Sequence, residues 1–169
     1  MGAIITNTNR VMRAINHYSL TNLYLGIGQT SVWTSEPTPD VPTVDDYEIN
    51  ELIYIKRIDS VQLVKLNAAS GALEVGGLKY DIVPLANAYT ESAMSVYYTV
   101  NIDYSDVGAT SFRQIGILHE PEDVSGIVSG ADYLAASILD QGHMIYINNT
   151  SVIARTTGQT ESFQVIIDF

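Results

Sequence analysis

Ser95-Val96-Tyr97-Tyr98-Thr99-Val100-Asn101-Ile102-Asp103-Tyr104-Ser105 decides the fold class. In an extended chain Val96, Tyr98, Val100, Ile102 and Tyr104 share one face, and Tyr97, Thr99, Asn101, Asp103 and Ser105 share the other. The first face is apolar or aromatic throughout, so this segment predicts a strand that buries it. The stretches on either side carry the same signal. Val61, Leu63 and Lys65 alternate with Gln62, Val64 and Leu66, and Ser70-Gly71 and Gly76-Gly77 mark turns before a further strand over Leu78–Leu85. Beyond it, Arg113–Leu118, Met144–Asn148 and Phe163–Phe169 read as strands. Asp132–Leu139 is ambiguous, because Ala135 and Ala136 favour a helical turn.

Upstream the pattern changes. Val11, Ala14, Ile15 and Tyr18 recur at helical spacing, which predicts an amphipathic helix over Asn9–Leu20 with Asn9 as its N-cap. Leu23-Tyr24-Leu25-Gly26-Ile27-Gly28 reads as a buried strand. Thr34–Thr43 contains Pro37, Pro39 and Pro42 and must be an extended loop. Val44–Ile55 predicts a second helix, with Asp45 and Asp46 in its first turn and Ile49, Leu52 and Ile53 inward. No repeat, low-complexity tract or linker divides the chain. The expectation is a single β-rich structural domain over residues 1–169. It is mainly β, sandwich-like or a partly open barrel, with one or two short helices near the N-terminus.

Composition narrows the function classes. The 169 residues are 46% hydrophobic and 16% charged, against roughly 25% charged in an ordinary soluble domain. A surface so poor in charge invites partners. Nineteen Asp+Glu against eight Lys+Arg give a net charge of −11, and the basic residues are scattered from Arg10 to Arg155. Such a chain repels phosphate backbones, so no nucleic-acid partner is expected. No apolar run approaches the length of a membrane span, so no membrane partner is expected either. Cysteine is absent, which removes disulfides, thiolate metal sites and cysteine nucleophiles. Met1-Gly2-Ala3-Ile4-Ile5-Thr6 satisfies the loose myristoylation pattern, which is too short and common to carry weight.

Local motifs for chemistry are missing. Gly26-Ile27-Gly28 follows a strand but lacks the third glycine and the helix of a dinucleotide loop. His17, His119 and His143 lie far apart with no metal-ligand spacing. Asp45 and Asp46 fit a helix start, and Glu120, Glu122 and Asp123 fit a turn around Pro121. There is no calcium-loop pattern and no nucleophile elbow. Asn148-Asn149-Thr150-Ser151 matches the glycosylation pattern, which means something only in a secreted protein. The reading is therefore no enzyme, no metal and no cofactor. Trp33, the one tryptophan, either anchors the proline loop onto its own domain or forms a hot spot at a subunit contact.

Three triplets give a positive signal: Phe112-Arg113-Gln114, Met144-Ile145-Tyr146 and Gln159-Thr160-Glu161, the last leading into a strand that ends at Phe169. In this order they resemble the C-terminal block of the baseplate wedge subunit family of T-even-like contractile-tail bacteriophages. Asn16-His17-Tyr18, Leu23–Gly28, Trp33 and the proline loop resemble its N-terminal part by residue type. The chain looks like a shortened member: it lacks a large insertion, has Ile147-Asn148-Asn149-Thr150-Ser151 where the family carries Glu-Asn-Arg-Pro-Pro, and matches nothing recognisable over Ile55–Ala93.

The resemblance implies a non-enzymatic virion structural protein, a baseplate wedge component of a contractile tail that holds neighbouring baseplate subunits. It implies location in the virion, at the tail baseplate, after assembly in the host cytoplasm. Its partners would be other baseplate or tail subunits, with a homodimer within a wedge as an option. The alternatives are a head–tail connector or neck protein, or a carbohydrate-binding β domain using exposed tyrosines; nothing local supports a hydrolase. The expected interface residues are Trp33, Pro37, Pro39, Phe112 and Arg113.

Overall fold

A computed structural model describes residues 4–169; the Gly2 motif lies outside the described residues. The elements run in the order α1 (Asn7–Tyr18), β1 (Leu23–Gly28), β2 (Tyr54–Arg57), β3 (Ser60–Leu66), β4 (Leu73–Val75), β5 (Leu78–Ile82), α2 (Ala88–Glu91) and β6 (Ser95–Ile102). There follow α3 (Tyr104–Val107), β7 (Ser111–His119), β8 (Glu122–Asp123), β9 (Gly126–Ile127), β10 (Asp132–Leu134), β11 (His143–Ala154) and β12 (Glu161–Asp168). The protein is mainly β with a short N-terminal helix, as expected. The chain divides into two compact units, one made of residues up to Leu20 with Asp59–Thr99 and Phe163–Phe169, the other of Thr21–Ile58 and Val100–Ser162.

In the first unit the sheet has the order β12-β6-β3-β5-β4. β6 buries Val96 and Tyr98 on its expected face, as it does Val100 and Ile102 beyond the unit's boundary. Tyr97, on the opposite face, is buried too, packed with Val64 and Tyr80. The strand stops at Ile102, and Tyr104 begins a turn of helix instead of extending it. A capping box explains this: the Asp103 side chain accepts from the backbone N–H of Asp106, whose carboxylate accepts from that of Asp103. β4 and β5 are joined by Gly76 and Gly77, both at positive φ, which the right-handed strand twist selects in a two-residue hairpin. β5 ends at Ile82, short of the expected Leu85, which starts a 3₁₀ turn. α1 begins at Asn7, capped by Thr6, whose hydroxyl accepts from Asn9 N–H at 3.3 Å, so the cap lies three residues before the expected Asn9. Its buried face is Val11 and Ala14.

In the second unit the antiparallel sheet has the order β10-β2-β1-β7-β11. β1 and β7 are interior strands, and Leu23–Gly28 and Phe112–Leu118 are buried on both faces, so neither alternates. Asp132–Leu139 divides into β10 and a 3₁₀ turn, Ala135–Ser137.

The expected second helix over Val44–Ile55 does not form. Its backbone is engaged elsewhere: the Gln141 side chain accepts from Ile49 N–H at 2.8 Å and donates to Ile49 C=O at 3.0 Å. Asn50 N–H donates to the Gln114 side chain at 2.6 Å, Asn50 C=O accepts from Gln29 N–H at 2.6 Å, and Glu51 lies at φ 45°. These bonds replace the helical ladder. The apolar spacing of Ile49 and Leu52 serves a different purpose. Gly26 and Gly116 are cross-strand partners; the Ile49 side chain lies where a Cβ on Gly26 would sit and presses close on Gly116, 3.1 Å from where its Cβ would be. Ile49 thereby joins Tyr24, Ile55, Leu118 and Val128 in the core of this unit.

Candidate interaction surface

The proline loop is fastened to the second unit's sheet by side chains from β7 and β11. Trp33 is 5% exposed, and its indole N–H donates to Thr150 C=O at 2.8 Å. Arg113, 8% exposed, donates through Nη1 to Thr30 C=O at 2.6 Å, and its Nε lies 3.3 Å from a Glu36 carboxylate oxygen. Glu36 in turn accepts from Trp33 N–H at 3.1 Å. Asn149 donates to Asp40 C=O at 2.8 Å and accepts from Gln114 at 2.8 Å.

Glu51 closes the near end of the loop. Its carboxylate accepts from the hydroxyls of Ser31 and Thr30 and from both their backbone N–H groups. The Ser31 hydroxyl first, then the Thr30 hydroxyl and these amides, pull its pKa down to about 2.

Of the expected interface residues, Trp33, on the loop, and Arg113, on β7 beneath it, are thus buried within the chain. Phe112 is fully buried in β7, while Pro37 is exposed and Pro39 half-buried. Val32 and Val41, which the sequence reading passed over, stand 66% and 84% exposed on the same loop. Both are apolar side chains turned to solvent on a segment that is firmly held. Their only signal in the sequence is an apolar residue inside a polar, proline-rich stretch.

A second polar cluster lies at β2 and α3. Tyr54 donates to Asp132 at 2.7 Å; burial first, and then that carboxylate, push its pKa up. Lys56 pairs with Asp106. Burial alone would raise the Asp106 pKa, but the Lys56 ammonium and the Asp103 N–H outweigh it and hold the group low. Arg155, its side chain fully buried, pairs with Glu161 and donates to Ile102 C=O at 3.0 Å. Lys56 with Asp106 and Arg155 with Glu161 neutralise one another, and Tyr54 satisfies Asp132, which makes them a structural network. His119 and His143, cross-strand partners on β7 and β11, stack with ring centroids 6.3 Å apart. Among the described residues no three His, Asp or Glu side chains converge as a metal site would require.

Comparison with known proteins gives the setting of this surface. Residues 2–169 match the family described as baseplate wedge 3 tail fiber network component, a span that includes the Ile55–Ala93 segment. Virion protein 3 of Enterococcus phage phiEF24C is 30% identical over 121 residues, covering 68% of this chain and 67% of that protein. The family model names the baseplate wedge and the relative is named a virion protein: the chain belongs to the family of baseplate wedge 3 tail fiber network components, structural proteins of the phage virion at the tail baseplate.

Proposed function

We propose that this protein works mechanically within the baseplate, holding neighbouring subunits through the Gln29–Thr43 loop and catalysing no reaction. The observation that carries this reading is the loop itself, immobilised by Trp33, Glu36, Glu51, Arg113 and Asn149 while Val32, Val41 and Pro37 face outward. A loop ordered in advance loses little entropy on docking, and its prolines leave fewer backbone donors to satisfy once covered. Arg113 acts from below, setting the position of what Pro37 and Pro39 present. Rearrangement of the baseplate on host contact would then pass through a rigid body with alternative packings. A second copy of the chain is one candidate neighbour, tested by sedimentation of the isolated protein.

The carbohydrate-binding alternative gains nothing from the tyrosines. Tyr24, Tyr54, Tyr80, Tyr97 and Tyr98 are buried, and the two most exposed, Tyr47 and Tyr89, belong to different units. The experiment is to replace Val32 and Val41 together by glutamate and measure incorporation into particles beside the melting temperature of the isolated protein. Exposed positions tolerate such changes within about 0.5 kcal/mol, so stability should hold while incorporation falls. Normal incorporation of the folded variant would refute the loop as the contact.

A further inference from the structure

Met144-Ile145-Tyr146-Ile147 is an unbroken apolar run, the pattern of a strand with neighbours on both sides and cover on both faces. β1 and β7 combine that pattern with an interior position. β11 has the pattern without the position: it ends the second unit's sheet and is hydrogen-bonded to β7 alone. The four apolar residues of its run are only half-buried, whereas Phe112–Leu118 of β7 are buried. Every second residue of an antiparallel strand turns its N–H and C=O away from its partner, and on the outer side of β11 these groups meet no strand.

The other sheet edges are blunted, as edges exposed to water are. β10 and β4 are three residues long and include Asp132 and Glu74, and β12 has a carboxylate at each end. β11 runs for twelve residues with no Asp, Glu, Lys, Arg or Pro. Register irregularities between Met144 and Tyr146 and between Asn149 and Ile153 leave Tyr146–Asn149 regular between them. The proline loop meets the strand through Asn149, bonded to Asp40 C=O, and Thr150, bonded to the Trp33 indole. Among the described residues, none of its hydrogen bonds reaches Met144–Asn148.

We propose that the outer edge of β11 over Met144–Asn148 pairs with an extended segment of a different protein of the particle. A row of backbone donors and acceptors fits one kind of ligand, a second extended backbone. Because β11 carries no charge from Met144 to Ala154, the matching strand is uncharged, with β-branched or aromatic side chains opposite Tyr146 and Ile147. A second copy of this chain does not fit. The second unit holds fourteen Asp+Glu against four Lys+Arg, and edge-to-edge pairing would set two such units side by side. The proposal rests on the subunit-holding role above and gives it a further contact, adjoining the loop at Asn149.

The test is a cryo-electron microscopy reconstruction of the assembled tail baseplate that contains this protein. A strand from another protein should lie about 4.8 Å from β11 along Met144–Asn148. An edge facing solvent, an edge covered by side chains alone, or one paired with a second copy would overturn the proposal. A variant gives an independent reading. Asn148→Lys puts a charge on the edge, the device by which natural edges refuse a strand. It should lower incorporation into particles by up to about fivefold, the worth of one cross-strand pair, with the melting temperature of the isolated protein unchanged. Asn148→Ser should leave both unchanged. Normal incorporation of the folded lysine variant would also overturn the proposal; if that variant fails to fold, the reconstruction alone decides. Normal incorporation of the Val32 and Val41 variant beside a strand seated on β11 sinks the loop reading only, and the converse sinks the strand only.

Discussion

Replacing Arg155 by alanine tests whether the second unit depends on one buried charge pair. The Arg155 side chain is 0% exposed and that of its partner Glu161 is 11% exposed. Truncation leaves the Glu161 carboxylate in a site that has little water, and also strips Ile102 C=O of its donor. Breaking a buried pair from one side costs about 3–5 kcal/mol. For a chain of this size that is a fall in melting temperature of about 6–20 °C. Trp33, in the same unit, supplies the fluorescence signal for thermal and urea unfolding. The double variant Arg155→Met with Glu161→Leu removes both charges at similar volume and should recover all but about 1 kcal/mol, the net worth of the bond to Ile102. A loss below about 1 kcal/mol for Arg155→Ala, the range of an exposed pair, would show that the pair is solvated. A double variant no more stable than the single would mean that the bond to Ile102, not the ion pair, carries the energy.

Glu51, held at a pKa of about 2 in the folded protein against an ordinary value of 4.5, contributes stability above pH 4.5 that fades as the pH falls toward 2. Proteolysis within Gln29–Thr43 should therefore rise across that window, and Glu51→Gln should abolish the dependence while raising cleavage at neutral pH; a flat profile in the parent protein would refute it. Gly28→Ala should destabilise by about 1–3 kcal/mol in urea unfolding, because its Cβ would lie 2.4 Å from the backbone oxygen of Asn50, which cannot turn aside as a flexible side chain would. An unchanged midpoint would show that the Asn50 segment moves freely.

The β content was legible because alternation is a local property: Val96, Tyr98, Val100 and Ile102 announce their face to anyone reading eight residues. The error over Val44–Ile55 has the opposite origin. Ile49 and Leu52 have helical spacing, yet the groups that unwind the segment, Gln114 and Gln141, lie 64 and 92 positions away in sequence. No periodicity in a short window contains them. The same applies to the candidate surface. Trp33 and the prolines could be singled out, but the Arg113–Glu36 pair spans 77 positions, and only folding shows that Arg113 sits under the loop and that Phe112 is a core residue. The Phe112-Arg113-Gln114 triplet was recognisable as a family mark, and its job became clear from what it holds: Arg113 reaches Thr30 and Glu36, and Gln114 reaches Asn50 and Asn149.

The manner of that fastening has a mechanical consequence. β1 and β7 are joined by a continuous backbone ladder from Leu23–His119 to Gly28–Gln114, whose bonds load together and resist together. The proline loop is joined to the same sheet by discrete side-chain bonds at Thr30, Trp33, Glu36 and Asp40. Were a neighbour to pull on the loop, these bonds would give way one after another, while the bonds of the ladder share the load. The loop would then act as a sacrificial link, leaving its seat before the strands beneath lose their register.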